Sequence, residues 1–412
     1  MRERNVFDPN DFQGSDSERI AQAVAAAAAR QGTVRITRRD DADGRAVWLI
    51  DEAILLPGNL TLIIDNCTIQ LSDLARDNFI RSANCGIGIS EVEPIGNLHI
   101  LGVGNAVLLG AEHPRATGDA VKTLGVRSYG TDAGKPGERQ TGDWRNMGIL
   151  LARVHNFTIE NLLIREAHCW AVSLEKCTRG VIRNLSFHAT ERRIIDGEPQ
   201  TILNQDGLDL RAGCRDIVID TLRGVTGDDL LALTGICLQD TPAGTLDHGV
   251  SGGKVGDPAN DIRNIIIRNV IGHSAGGHQI VRFLNTAGLC MRNIVLDGLI
   301  DTSPGTITDH AAVRIGDDRA VWGGVTPLGD TSEFQIRNIF SRARSAILVA
   351  GSLCDSVIDG VFNSNPDGVA LNLASGEENF RNVAVSNVCD VIRKPITAKH
   401  EKKGEEGAAN GR

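Results

Sequence analysis

Aromatic side chains are scarce: Phe, Trp and Tyr make up 4% of the 412 residues, with a single Tyr. Large rings therefore cannot dominate the core, and small aliphatic side chains must fill it. No apolar run approaches the roughly 20 residues of a membrane span, so no membrane partner is expected. The first residues, MRERNVFDPNDFQGSDSERI, hold no apolar stretch and do not read as a secretory signal. A cytoplasmic location is expected, or a secreted one if the chain is a processed mature form. The nine cysteines stand singly with no CxxC pair, and they read as free buried thiols. HxH, HExxH and paired-Cys spacings are missing, so no metal and no organic cofactor is expected. GVGNAVLLG lacks the helix context of a GxGxxG fingerprint, and GxSxG does not occur. A net charge of −9 argues against nucleic acid as a partner.

What is abundant is glycine, 46 residues of it, together with Ile, Val, Leu and Asn. One helix stands out, Ser17–Arg30, which is Ala-rich and ends near Gly32. Beyond it nearly every segment reads as a short strand and a turn: GNLTLIIDNCTIQL, HNFTIENLLI, RDIVIDTLRGVTGDDLLALTG, DIRNIIIRNVIG, CMRNIVLDGLIDTS, FQIRNIFSRARSAILVAG. Each has a polar residue, alternating aliphatics, an Asn or Asp, and a second short strand. Where nothing is inserted the starts recur at roughly 21–24 residues, the mark of a solenoid. No helical period separates the strands, so the expected fold is all-β, a right-handed parallel β-helix. Asn recurs at its turns because it tolerates left-handed geometry. A single domain is expected over 1–395, with helix 17–30 capping the apolar core and 396–412 a disordered tail. Polar insertions Gly118–Asn146, Ile236–Asn260 and Asp317–Glu333 read as groove walls.

Against this aliphatic background two acidic clusters stand out in NQDGLDLRAGCRDIVIDTLRGVTGDDLLALTG, Asn204–Gly235. Asp206 and Asp228 are 22 residues apart, close to one repeat. Residues one coil apart stack about 4.8 Å from one another. Asp206, Asp228 and Asp229 should therefore gather on one outer face, with Asp206 above Asp228. Crowded carboxylates repel, which raises at least one pKa and suits it to be a general acid, while a partner stays ionised as base. Discounting the Ile236–Asn260 insertion, His278 in SAGGHQIVRF falls on the next coil and Arg314 in HAAVRIGDD on the one after. Asp209, Asp216 and Asp220 read as turn or strand-end residues. Trp170 is a sugar-stacking platform or a packed aromatic.

The order NQDG, GDD, GGHQI, VRIG resembles glycoside hydrolase family 28, the polygalacturonase-like enzymes, whose successive coils carry NTDG, GDD, GHG and RIK. The stretch GSDSERIAQAVAAAAARQGTVRI followed by ILLPGNLTLIIDNCTIQLSD is similar to the usual entrance of the pectin-lyase-like superfamily. The broad likeness covers Phe12–Val391, and the specific motifs Asn204–Arg314. The resemblance implies that Asp228 protonates the glycosidic oxygen, that Asp206 and Asp229 activate the water, and that His278 helps set protonation. It implies that Asn204, Gln279, Arg282 and Arg314 contact a polysaccharide or oligosaccharide, and that configuration inverts. Three positions depart from the pattern: Gln205 replaces the Thr of NTDG, Gln279 the second Gly of GHG, and Gly316 the Lys of RIK. Arg282 or the pair Arg192/Arg193 are candidates for the missing cation. His248 is a rival for the motif histidine.

The expected function is inverting hydrolysis of a pectin-like, uronic-acid-containing glycan. The alternatives are a lyase or epimerase on the same fold, and a non-catalytic, tailspike-like carbohydrate-binding β-helix.

Overall fold

A computed structural model describes residues 5–391 other than 41–43, 76, 87–88, 90–91, 115–143, 203, 237–254 and 306–309. The chain winds as a right-handed parallel β-helix. One sheet has ten strands in spatial order from Ile54–Leu56 through Ile80–Ser82, Ile149–Ala152, Val172–Glu175, Leu208–Arg211, Leu231–Gly235, Val281–Asn285, Ala311–Ile315 and Ser345–Val349 to Val369–Leu373. It carries the candidate site and is called the site sheet below. The second sheet has sixteen strands and ends at Phe380–Asp390. In early coils its two halves are separate strands. Thr178–His188 pairs with Val154–Glu160 along its first half and with Leu163–Arg165 along its second. Later coils fuse both halves into single long strands such as Ile262–Ser274.

The alternation in each segment sets this geometry. In Leu60–Asp65 every second side chain is buried. Stacking coils then builds columns of like residues. Ile100, Ile159, Ile182, Ile219, Ile267, Leu296, Ile336 and Ile358 follow one another in register, fully or almost fully buried. Burying each such side chain contributes about 1.5–3 kcal/mol. One residue further along the same strands runs a surface column of alternating charge: Glu160, Arg183, Asp220, Arg268, Asp297, Arg337, Asp359. A slip of one coil would set like charges opposite one another, so the column favours the observed pairing.

The recurrent asparagines sit at corners with positive φ, for instance Asn97 at 58° and Asn156 at 55°. Their amides form ladders, with Asn156 Nδ2 donating to Asn97 Oδ1 at 2.5 Å and Asn97 Nδ2 to Asn59 Oδ1 at 2.7 Å. Asp216 belongs to such a corner with φ 60° and accepts from Asn264, as expected; Asp220 instead lies inside the strand Arg215–Thr226, just before the Thr221 corner, and accepts from Asn269.

The helix spans Asp16–Ala28, shorter at its end than Ser17–Arg30 and starting one residue earlier. Ser15 caps it through a reciprocal box with Glu18. Ile20, Ala23, Val24 and Ala27 cover the open end of the core. None of the helices among the described residues is long and apolar enough to cross a membrane. The expected tail 396–412 lies outside the described residues.

Ile267→Ala removes one member of the aliphatic column and is expected to cost about 2–4 kcal/mol. Arg268→Ala, one position away on the surface, is expected to cost less than about 1 kcal/mol. Urea midpoints of the two variants check this contrast.

Candidate active site

On the outer face of the site sheet, strands Leu208–Arg211, Leu231–Gly235, Val281–Asn285 and Ala311–Ile315, with the turns that precede them, line a cleft of about 290 Å³. Inside these strands Leu208, Leu231, Val281 and Val313 stack in the core. The intervening positions point outward. Two short turns, NQDG before the first strand and GDD before the second, deliver the carboxylates.

Asp206, Asp228 and Asp229 meet at one end of this cleft, as the motif spacing predicts. The register differs from the expectation by one residue. Leu208 pairs with Leu231, so Asp206 lies beside Asp229 rather than Asp228. The backbone N–H groups of Gly227 and Asp228 both donate to the Gln205 carbonyl, which makes room for the extra acid. The Asp229 N–H then donates to Asp206 Oδ1 at 2.9 Å and to Asp228 Oδ1 at 3.0 Å. One amide thus ties all three acids together. The Gln279 N–H donates to Asp229 Oδ1 at 2.8 Å, so Gln279 contributes its backbone to the site. His278 Nδ1 stands 3.1 Å from Asp228 Oδ1.

Two of the acids are buried although they lie outside the aliphatic core, Asp206 being 6% and Asp229 3% exposed, while Asp228 is partly exposed to the cleft. Desolvation penalises their charged forms. Burial, and then repulsion from Asp228, holds Asp206 well above the ordinary carboxylate range. Burial and the neighbouring Asp229 push Asp228 up to about 6, against the pull of His278 and Arg282. Burial also raises Asp229, but Arg282, 3.7 Å away, and the Gln279 amide oppose it. Asp228, Asp229 and His278 bring three donor atoms within 4.8 Å of one another. Of these, His278 Nδ1 and Asp228 Oδ1 are in direct contact.

At the other end of the cleft three guanidinium groups surround one fully buried carboxylate. Asp317 Oδ2 accepts from Arg282 Nη2 at 3.0 Å and Arg319 Nη2 at 2.9 Å, and lies 3.1 Å from Arg314 Nη2. Trp322 lies against this group, its ring centroid 5.4 Å from the Arg282 guanidinium carbon and 6.0 Å from that of Arg319. Burial and the neighbouring Arg282 and Arg319 charges lower the Arg314 pKa, as expected for crowded cations. Arg314 does not continue a column from His278. It stacks on Arg282, and His310 is the imidazole next to His278, ring centroids 5.5 Å apart.

The Lys-to-Gly departure has a steric cause. Gly316 has φ +71°, and a Cβ there would lie 2.4 Å from Gly351 Cα on the following coil. Arg282, and Arg319 in the Asp317–Glu333 insertion, place positive charge in the cleft. The pair Arg192/Arg193 lies on an antiparallel hairpin, Arg192–Ile195 with Glu198–Thr201, and neither lines the cleft. Arg193 Nη1 donates to the Ala111 carbonyl. Asn204 lines the cleft with φ +55°. Trp170 is buried and also lines it, with Arg211 5.0 Å from its centroid.

Asp209 is not a strand-end residue: it sits within Leu208–Arg211, 2% exposed, and lines the cleft. Arg211, His310, Asp317, Arg319 and Trp322 were not legible as site residues. Counting two positions on from Asp209, or reading past the RIG motif into its insertion, was the available signal. His248 and most of Gly118–Asn146 and Ile236–Asn260 lie outside the described residues.

No family model matches the sequence, and no curated protein matches it. Solved structures do. An exopolygalacturonase from Thermotoga maritima superposes with TM-score 0.55 at 16% identity, covering 94% of this chain and 93% of that one. A polygalacturonase from Erwinia carotovora ssp. carotovora gives 0.51 at 15% identity, covering 93% of each. A tailspike protein mutant of E. coli bacteriophage HK620 gives 0.53 at 11% identity, covering 89% of this chain and 59% of that one. At such identities the likeness establishes the shared β-helix fold.

The raised acids also govern stability. A carboxyl whose pKa is higher folded than unfolded binds more protons when folded, so stability falls as pH rises between the two values. For Asp228 that window runs from about 3.8 to about 6. Wild-type stability is expected to fall across it. Asp228→Asn should flatten the fall and gain on the order of 2 kcal/mol at pH 7 relative to pH 4. Denaturant titrations at both pH values measure it.

Proposed function

We propose that this protein is a glycoside hydrolase that cleaves an acidic, pectin-like poly- or oligosaccharide by carboxyl general acid and base catalysis. The observation that carries this reading is the crowded acid trio, with Asp228 raised to about 6 and facing the cleft beside His278. A carboxyl with that pKa is half protonated near pH 6 and keeps a protonated fraction toward neutrality, as protonation of a leaving glycosidic oxygen requires.

The other acids divide the remaining work by their surroundings. Asp229 has Arg282 and the Gln279 amide to hold it as a carboxylate. It is the better base to draw a proton from water. Asp206 has no such cation among the causes acting on it, and burial favours its protonated form. Its role is to fix Asp229 through the shared amide contact. The sequence motif treats Asp206 and Asp229 alike; their environments separate them. Water attacking from the side opposite the departing oxygen inverts the anomeric centre.

The cluster of Arg282, Arg314 and Arg319 outweighs Asp317 and Asp318 by one positive charge, and Trp322 adds a flat apolar wall. This polarity supports a sugar carrying a carboxylate, its ring against the indole. Cleavage rather than mere binding is favoured by the raised Asp228, since retention of a sugar alone gives no reason to crowd three acids together.

Reducing-end release from pectic and related acidic glycans tests the reading. Wild type is expected to be active, and Asp228→Asn to lose about 10²–10⁴-fold in kcat with binding retained. Ultraviolet-absorbing unsaturated products would point to elimination instead. Equal, blank-level signals from both proteins on every glycan, with binding intact, would leave the carbohydrate-binding alternative.

Arg319→Ala should raise KM for an acidic oligosaccharide about tenfold and leave kcat nearly unchanged. It should have little effect on the methyl-esterified substrate. Steady-state kinetics on both substrates decide it.

A further inference from the structure

Glu191 enters the antiparallel hairpin with φ +61°, an unfavourable value for a residue with a Cβ. Several neighbours hold it there. Its N–H donates to Gln205 Oε1 at 3.0 Å, and its carbonyl accepts the Ile202 N–H at 2.7 Å. Gln205 is itself buried, with Nε2 donating to the Ala167 carbonyl at 2.7 Å. A Cβ on Gly227 would lie 2.9 Å from Gln205 Oε1 and 3.0 Å from Glu191 Cα. A Cβ on Gly276 would lie 3.2 Å from both Glu191 Cδ and His278 Cδ2. Two glycines on later coils thus leave space that the Glu191 side chain occupies, and its carboxyl faces the imidazole across Gly276.

The ring is already engaged on its other side. His278 Nδ1 meets Asp228 Oδ1, and that oxygen also accepts the Asp229 N–H. An oxygen accepting one N–H can accept a second, so an Nδ1–H would donate to it. Across the ring from Nδ1, Cδ2 borders the space at Gly276 that the Glu191 carboxyl also borders. Among the described residues the Glu191 carboxylate enters no hydrogen bond or ion pair with a protein group, and neither does His278 Nε2. An unused acceptor therefore stands opposite an unused ring nitrogen. The other ionisable groups around the ring are Asp228 and Asp229 from the preceding coil, His310 from the following one, and His273 and Asp301, which share a small cavity with it.

We propose that Glu191 is a positioning residue of this site: its carboxylate, directly or through one water, holds the Nε2–H edge of His278, so that the ring keeps its Nδ1–H aimed at Asp228. Gln205, which departs from the family motif, takes its place in this design as the side chain that holds the Glu191 backbone. The inference rests on the hydrolase reading only for its kinetic consequence. The contact itself can be tested without turnover.

Spectra of protein labelled with ¹⁵N-histidine, with His278 assigned by its loss in His278→Asn, report whether Nε2 carries a proton. Glu191→Gln is expected to move the His278 Nε2 resonance toward the unprotonated position at constant pH. It should lower kcat about tenfold while KM stays within about twofold. Glu191→Asp should restore part of both. Glu191→Gly relieves the positive φ, so it should raise thermal stability while reproducing the Gln spectrum and rate. If Glu191→Gln and Glu191→Gly both leave the His278 nitrogen resonances unchanged, the proposal is overturned, and Glu191 only shapes a corner. If no glycan is cleaved by the wild type, the spectra still decide the contact, and only the hydrolase reading fails.

Discussion

Everything in this molecule depends on parallel backbone pairing between successive coils. That pairing places a residue about 4.8 Å from its counterpart one turn later, whatever the number of residues between them. Leu231 pairs with Val281 across a long insertion as regularly as Leu208 pairs with Leu231 across none. Insertions therefore leave the sheet pairing undisturbed, and distant acids become neighbours. The aliphatic columns supply the free energy. The asparagine ladders and the alternating charge column supply the register.

The site uses this scaffold against its own stability. Crowding Asp206, Asp228 and Asp229 side by side is unfavourable for their charged forms, and Arg282, His278, Arg314 and a few amides offset it. Such strain can persist because the flanking strands are clamped by Leu208, Leu231 and Val281 in the core. The same rigidity keeps Arg282, Arg314 and Arg319 crowded around Asp317. Arg282 joins the two groups, lying 3.7 Å from Asp229 and 3.0 Å from Asp317.

The departures from the family motif turn out to be connected with the local backbone. Gly316 cannot carry a side chain because Gly351 passes too close. Cationic groups reach the cleft from Arg282 on the same sheet and from Arg319 in an insertion. Gln205 reaches where a threonine would not, linking Ala167 to Glu191. In both cases the residue type follows from what a neighbouring coil leaves free.

The sequence by itself determined the β-helix, its capping helix and the gathering of the three acids. Alternating aliphatics and a coil-length repeat are local patterns that the backbone reads directly. It did not determine which acid faces which, because one additional residue at the Gly227–Asp228 turn shifts the register without altering the motif. Nor could it mark Asp209, Arg211, Asp317 or Trp322, whose burial and partners arise only when separate coils stack. Charge state belongs to the same class: three aspartates are alike on paper. Desolvation and the placing of Arg282 and His278, both properties of the folded chain, make them different.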